Sequence, residues 1–567
     1  MNASAGAIVS LGDTSFGAVF TQSGTLTGLG AGTILLGGGT LAVAATGAFF
    51  NIPATLSFVW SGGVVNVPVG ISAAINGNLT QTSNDGVVVN GGGTLTFNGN
   101  VTQTGAGSMR IDGGAGTAST VNIPVGKSFT LGGNNGLVQG FNGGGVVNNN
   151  GIIRKTAGAG TSLISTVLSK AANLTVDTGV LTLSPAAGVI QGGTFNVAAG
   201  AVLNLTNGFN TTTTLSGVFT GTGAGEVRMP GGFLVAAGGG PGLTFNFPAG
   251  LFRILGGQLN TGGLTFNLAG ASTIVGANNV DITGGGVFHL SGALTHAGTA
   301  DLRVGGGTDL SIDTGATLSL TTNAGISQFG GSSISVLGTL RKSGGNGLSL
   351  VNVPVSNSGT VEVRRGTLRF SGGISEVVGS TLAGGKWQAI STPTTPATLD
   401  LGTAITAIGL GAAVTLGDVN SSIPSISGLT SNAGALLLIT GANFANTTNL
   451  SNTDRISLSA TSTFNVGGTY SQTGLGRLTA SGSGGSIGRL LTAGNVQLGG
   501  TLQVTWSGHM PAVGASITLI DNLGAGPVTG TFTGLANNAT FSVGAMTFRI
   551  RYNAGSGGNN VTLSRTA

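Results

Sequence analysis

The densest run of ionisable side chains is Asp301, Arg303, Asp309 and Asp313. Carboxylates facing each other across a bound polymer would give glycoside hydrolysis, and a base beside a cation would give lyase chemistry. Strand alternation would place Asp309, Ser311 and Asp313 on one face, with Leu310 and Ile312 on the other. That is the layout of a shallow polysaccharide site, and equally of an ordinary solvated strand face. The solvated face is the better reading, because the chain has only 3 Trp and 2 Tyr to stack against sugar rings. No catalytic residue is assigned. The four residues stay as candidates for the alternative, a carbohydrate-active β-helix enzyme (polysaccharide lyase or hydrolase) or glycan-binding module.

Other chemistry is sparse. His289, His296 and His509 form no HExxH-type pair, and His289 and His296 read as surface polar residues. With no cysteine, the chain has neither disulfides nor thiolate ligands. Glycine strings are frequent, but none forms the Gly-x-x-x-x-Gly-Lys-Ser/Thr of a phosphate loop, so they are turns. Gly555 to Leu563 is a faint match to a calcium-binding nonapeptide, but Asn560 stands where an acidic ligand is needed. No metal or cofactor is expected. Asn78, Asn173 and Asn204 each open an Asn-Leu-Thr acceptor triplet, which chance supplies in a chain this rich in Asn and Thr. Thr-x-Thr pairs (Thr25/Thr27, Thr80/Thr82, Thr94/Thr96, Thr102/Thr104) could line an ice-binding face, but their intervals are too irregular for a lattice match.

The elements that carry these residues follow from composition. Glycine supplies 110 of 567 residues, hydrophobic residues 40% and charged residues 6%, against a usual glycine share of ~7% and charged share of ~25%. Mean hydropathy is +0.40, so the chain can bury a core and is not disordered. Glycines clustered as GG and GGG exclude collagen. Net charge is +5 with pI ≈ 10.1, yet no basic run is longer than Arg364-Arg365. The high pI reflects few acids, and no nucleic acid partner is expected.

Self-similarity is the strongest signal. Val65-Asn66-Val67-Pro68-Val69 returns as Val121-Asn122-Ile123-Pro124-Val125 and again as Val351-Asn352-Val353-Pro354-Val355. TQTGAGSMRIDGG (Thr102 to Gly114) returns as TGTGAGEVRMPGG (Thr220 to Gly232) and SQTGLGRLTASG (Ser471 to Gly482), and more loosely as LTHAGTADLRVGGG (Leu294 to Gly307). Leu79-Thr80-Gln81-Thr82 is echoed by Val101-Thr102-Gln103-Thr104, an interval at the short end of the roughly 20–50 that marks solenoids and arrays. Apolar and Thr/Ser/Asn residues alternate with period two, and helical spacing is nearly absent. The expected fold is all-β, a parallel β-solenoid of irregular coils with a small C-terminal antiparallel β domain. Coils stacked ~4.8 Å apart, about twenty of them, would extend on the order of 100 Å. Abundant Phe fits inward stacking, and Asn-rich corners such as Asn148-Asn149-Asn150 and Asn134-Asn135 fit amide ladders.

Residues 1–390 are read as the solenoid region. After the Pro/Thr break at Ser391 to Pro396 the repeats continue over 391–487, and 488–567 form a β-sandwich-like cap. In the last part Met546, Phe548, Ile550 and Tyr552 share an apolar face, while Thr547, Arg549 and Arg551 face away. Ala404 to Leu416 and Ala435 to Ile439 fall short of the roughly 20 apolar residues of a spanning helix. No basic residue precedes Arg110, so no signal peptide is recognised and the chain is expected to be a piece of a longer protein.

SNSGTVEVRRGTLRFSGG (Ser356 to Gly373), GLTSNAGALLLITGANF (Gly428 to Phe444) and GGTYSQTGLGRLTASG (Gly467 to Gly482) resemble repeats of large bacterial surface proteins, the autotransporter-passenger-like and haemagglutinin-like β-helical adhesins. AGNVQLGGTLQVTW (Ala493 to Trp506), VGASITLIDNLGAGPVTGTFTGL (Val513 to Leu535) and FRIRYNAGSGGNNVTL (Phe548 to Leu563) resemble the module that closes such arrays. The resemblance covers most of the chain and is strongest after Val351. It implies a structural or adhesive segment without catalysis, extracellular or on the bacterial cell surface. Its partners would be a host or neighbouring-cell surface or an extracellular polysaccharide. In departure from the autotransporter pattern, no membrane β-barrel strands are expected in the residues up to Ala567.

Overall fold

The computed structural model describes every residue except 13–16, 115, 141, 143, 238–241 and 556. Short strands pair in parallel with their counterparts one turn later, giving a parallel β-solenoid of about 21 turns among the described residues. The chain divides into two compact units, Met1–Ala293 and Leu294–Ala567. Among the described residues no helix is long and apolar enough to cross a membrane.

In the first unit the interval from Leu79 to Val101 is one coil: Leu79 pairs with Val101, Thr80 with Thr102 and Gln81 with Gln103. Coil length then varies, because Val101 pairs with Phe129 across a longer step and Phe129 with Ile153 across a shorter one. The two early VNVPV-type copies do not share a column. Val65 pairs with Val89, whereas Val121 pairs with Leu95 and Val147. What they share is a turn: the Pro68 carbonyl accepts the N–H of Ile71, and the Pro124 carbonyl that of Lys127. The motif therefore encodes a strand followed by a corner. A coil has more than one corner, so the interval from Val65 to Val121 is not a whole number of coils.

Alternation puts apolar side chains inside. Phe195, Phe219, Phe245, Phe266 and Phe288 are at most 1% exposed, and successive ring centroids lie 5.3, 5.7, 5.4 and 5.0 Å apart. Each such burial contributes about 1.5–3 kcal/mol. Outside, Asn148 Nδ2 donates to Asn122 Oδ1 at 3.0 Å and Asn122 Nδ2 to Thr96 Oγ1 at 3.2 Å, forming a ladder as expected. Asn134 and Asn135 instead bond backbone, Asn135 Nδ2 donating to the Gly105 carbonyl and Asn134 Oδ1 accepting the N–H of Gly160.

The second unit repeats the construction. Arg341 lies in register with Glu362 and pairs with it, and Glu362 also holds Arg364 at 2.8 Å. The Pro/Thr segment is a tight corner closed by Thr395 N–H on the Thr392 carbonyl, and pairing resumes where Ala397 meets Gly366. Near the C-terminus one sheet changes character. Asn443–Asn446, Thr463–Val466, Arg489–Thr492 and Ser516–Asn522 pair in parallel. Asn560–Arg565, Met546–Ala554 and Thr540–Val543 then add antiparallel to the same sheet. This ribbon covers the edge that Ser516–Asn522 would otherwise leave open to pairing. Met546, Phe548, Ile550 and Tyr552 are buried as their alternation predicts. Burial raises the Tyr552 hydroxyl to about 12, and it donates to the Leu535 carbonyl at 2.8 Å.

Candidate functional site

The stretch from Asp301 to Asp313 spans two successive strands, Leu302–Gly305 and Asp309–Ile312, each paired with its counterpart one turn later. Aligning Thr295 to Gly306 with Thr102 to Gly113 sets His296 against Gln103, Asp301 against Ser108 and Arg303 against Arg110. Ser108 Oγ accepts the N–H of Gly136 at 2.9 Å, and Asp301 Oδ1 accepts that of Gly325 at 2.8 Å. Both cap a glycine of the following turn. Asp309 Oδ1 accepts the N–H and the hydroxyl of Ser333, at 3.1 and 2.7 Å. The Arg303 guanidinium stands 5.2 Å from the Phe329 ring centroid, a cation–π distance. The solvated face expected for Asp309, Ser311 and Asp313 forms only in part, with Asp309 exposed and Asp313 half-buried. Ser311 is covered, like Leu310 and Ile312 beside it, and gives its hydroxyl to Asp313 at 2.6 Å. The strand ends at Ile312, so alternation does not carry through to Asp313.

A second constellation sits at the coil corners, where a fully buried donor satisfies the carbonyl two residues on. Trp60 Nε1 reaches the Gly62 carbonyl at 2.9 Å, Gln81 Nε2 that of Ser83 at 3.2 Å, Lys155 Nζ that of Ala157 at 3.0 Å and Lys342 Nζ that of Gly344 at 2.9 Å. These carbonyls lie in the corners between strands and need a donor once buried. Each lysine takes further partners, a carbonyl of the preceding turn and a serine hydroxyl among them. Lys155 Nζ bonds the Gly133 carbonyl at 2.7 Å and Ser162 Oγ at 3.1 Å, and Lys342 Nζ bonds the Thr322 carbonyl at 2.9 Å and Ser349 Oγ at 3.0 Å. Burial holds both ammonium groups below the usual lysine value, Lys342 at about 8. The sequence carries a signal for this, in Arg154-Lys155 followed by Ser162 and Arg341-Lys342 followed by Ser349, at the same spacing. Weighing the lysines only as scattered positive charge misses it.

His296 corrects the expectation of a surface residue. It is 1% exposed, and among the described residues neither ring nitrogen has a hydrogen-bond partner. Its repeat places it at the inward position that Gln103 fills. Burial lowers its pKa, with the Asp301 charge opposing. His289 is half-buried beside Asn267 in the sheet. The nonapeptide-like segment Gly555 to Leu563 includes Ser556, which lies outside the described residues. In its described part Asn560 Oδ1 accepts the N–H of Asn522 at 2.8 Å.

Fold and corners together define a parallel β-solenoid whose turns are pinned to one another by side chains. No family model matches the chain, and no curated protein matches it. Among solved structures, the Haemophilus influenzae Hap adhesin matches at 11% identity and a TM-score of 0.21, over 94% of this chain and 64% of that one. The chain thus spans less than two thirds of that structure's length. The solenoid assignment rests on the strand pairing itself.

Proposed function

We propose that the chain is a structural and adhesive segment of a bacterial cell-surface or secreted protein, acting without catalysis on a host surface, a neighbouring cell or an extracellular polysaccharide. The observation that supports this reading is how scarce charge is used. Asp301 and Asp309 bond the next turn, Glu362 clamps two arginines, and Lys155 and Lys342 hold corners. Such an array presents outward side chains on a backbone braced turn by turn, which suits display. The resemblance of Ser356 to Gly373 and of Gly467 to Gly482 to adhesin repeats supports the same reading.

The test is retention of purified chain on a panel of host cells and polysaccharides. Saturable retention on at least one surface is expected; retention on none at high protein concentration would leave a spacer and remove adhesion. In parallel, neutral and acidic polysaccharides are assayed for release of reducing ends or unsaturated sugars. Turnover that Asp309→Asn abolishes would replace the scaffold reading with an enzyme.

A further inference from the structure

Within the second unit, coils lengthen toward the C-terminus. Phe444 pairs with Phe464, Phe464 with Leu490 and Leu490 with Ile520, each step longer than the one before. Part of the added chain leaves the coil as a hairpin, in which Gly482 pairs with Ile487 and Ser483 with Ser486. The hairpin is braced. Gly484 N–H bonds the His509 carbonyl at 2.7 Å, and Trp506, whose Nε1 reaches that same carbonyl at 3.0 Å, lies over Gly482. The Trp506 ring is itself stacked on Phe548 at 5.5 Å.

Between this hairpin and the starts of the adjoining strands lies a groove of about 440 Å³, within the range of small-ligand sites. Thr461, Thr463, Ser486, Ser516 and Thr518 bring hydroxyls to it, and Arg489 brings a guanidinium. Arg489 lies in register with Thr463, and its side chain is 44% exposed. Its paired carboxylate, Asp521, stands at 3.9 Å, beyond hydrogen-bond reach. Among the described residues, most of its five donors are therefore unspent. Hydroxyl side chains both donate and accept, which matches a polyol, and a guanidinium fork matches a carboxylate in two-point contact.

We propose that this groove binds an acidic saccharide, a uronic-acid chain whose carboxylate docks on Arg489 while its ring hydroxyls bond the surrounding serines and threonines. The inference rests on the adhesive reading and gives it a ligand class. Because the hairpin wall is already braced, binding requires little ordering of the protein.

The test titrates the intact chain with oligogalacturonate, with a neutral maltooligosaccharide of equal length and with inorganic phosphate. Oligogalacturonate is expected to bind and the neutral sugar not to. Arg489→Gln should weaken binding at least ~10-fold and Arg489→Lys less, since the charge remains but the fork is lost. Ser516→Ala should cost about 3-fold, and Arg477→Gln, outside the groove, should change nothing. Unfolding midpoints equal to the parent's show that the variants fold. Unchanged affinity in Arg489→Gln, equal binding of the neutral sugar, or full displacement by phosphate would each overturn the proposal. Absent uronate binding with retained adhesion to other surfaces overturns the groove alone, whereas absent adhesion everywhere removes the reading beneath it.

Discussion

Replacing Lys342 with methionine separates two opposed consequences of burying an ammonium. At neutral pH the parent holds a charge that burial disfavours, while Lys342→Met leaves the Gly344 carbonyl without its donor; the Thr322 carbonyl keeps Ser349 Oγ at 3.3 Å. An unpaired buried carbonyl costs about 1–3 kcal/mol, so the two effects nearly offset and the difference there is small. The pH dependence is decisive. Lys342 sits at about 8 in the folded protein, against the ordinary 10.5. Between those values the unfolded chain binds a proton that the folded chain does not, so folding stability rises with pH across that window. The full gap corresponds to about 3 kcal/mol, most of which falls between about pH 7 and about pH 10. Urea unfolding of parent and Lys342→Met at both pH values should show the parent gaining about 2–3 kcal/mol relative to the variant at the higher pH. A parent–variant difference that stays constant would refute the buried-ammonium account.

His296 should act in the same sense in a lower pH window. Its folded pKa is lowered from 6.5, so below about pH 6.5 the unfolded chain takes up a proton the folded one resists, and stability falls with acid. His296→Gln, which restores the residue of the matching repeat, should flatten that fall in thermal midpoints measured at about pH 7 and about pH 5. Phe245 packs on Phe219, Phe247, Phe252 and Phe266, and Phe245→Ala should cost about 3–5 kcal/mol, read as a lowered denaturant midpoint. Gly63 has φ +81° and a Cβ there would stand 2.5 Å from the Gly39 carbonyl oxygen. Gly63→Ala should therefore destabilise by more than ~1 kcal/mol, with proteolytic cleavage appearing first near this corner.

Much of the architecture is legible because period-two alternation and the echo of Leu79 at Val101 are direct imprints of strand pairing. The two segments lie side by side as their offset implies. The loose repeat at Leu294 also carries the answer for Asp301 and His296, once each is matched to Ser108 and Gln103. What resists reading has identifiable causes. Closely similar strand-and-corner phrases serve different corners, so the spacing of Val65 and Val121 does not measure a coil. A lysine is buried at a corner because backbone carbonyls converge there, some from the previous turn, and the sequence shows this only when the two distant copies at Lys155/Ser162 and Lys342/Ser349 are set side by side. The groove around Arg489 is assembled from side chains as far apart as Thr461 and Thr518 on successive coils, and no contiguous motif spans it.

The unequal steps from Phe444 to Ile520 separate two kinds of change. Inside, the rungs Phe464, Leu490 and Ile520 are all buried and aligned, although the length of chain between neighbours grows at every step. The interior is thus indifferent to how much chain departs and returns between rungs. Insertions, deletions and sequence drift can accumulate in the excursions without rewriting the folding code, so the protein can revise what it shows to its surroundings while conserving what it hides.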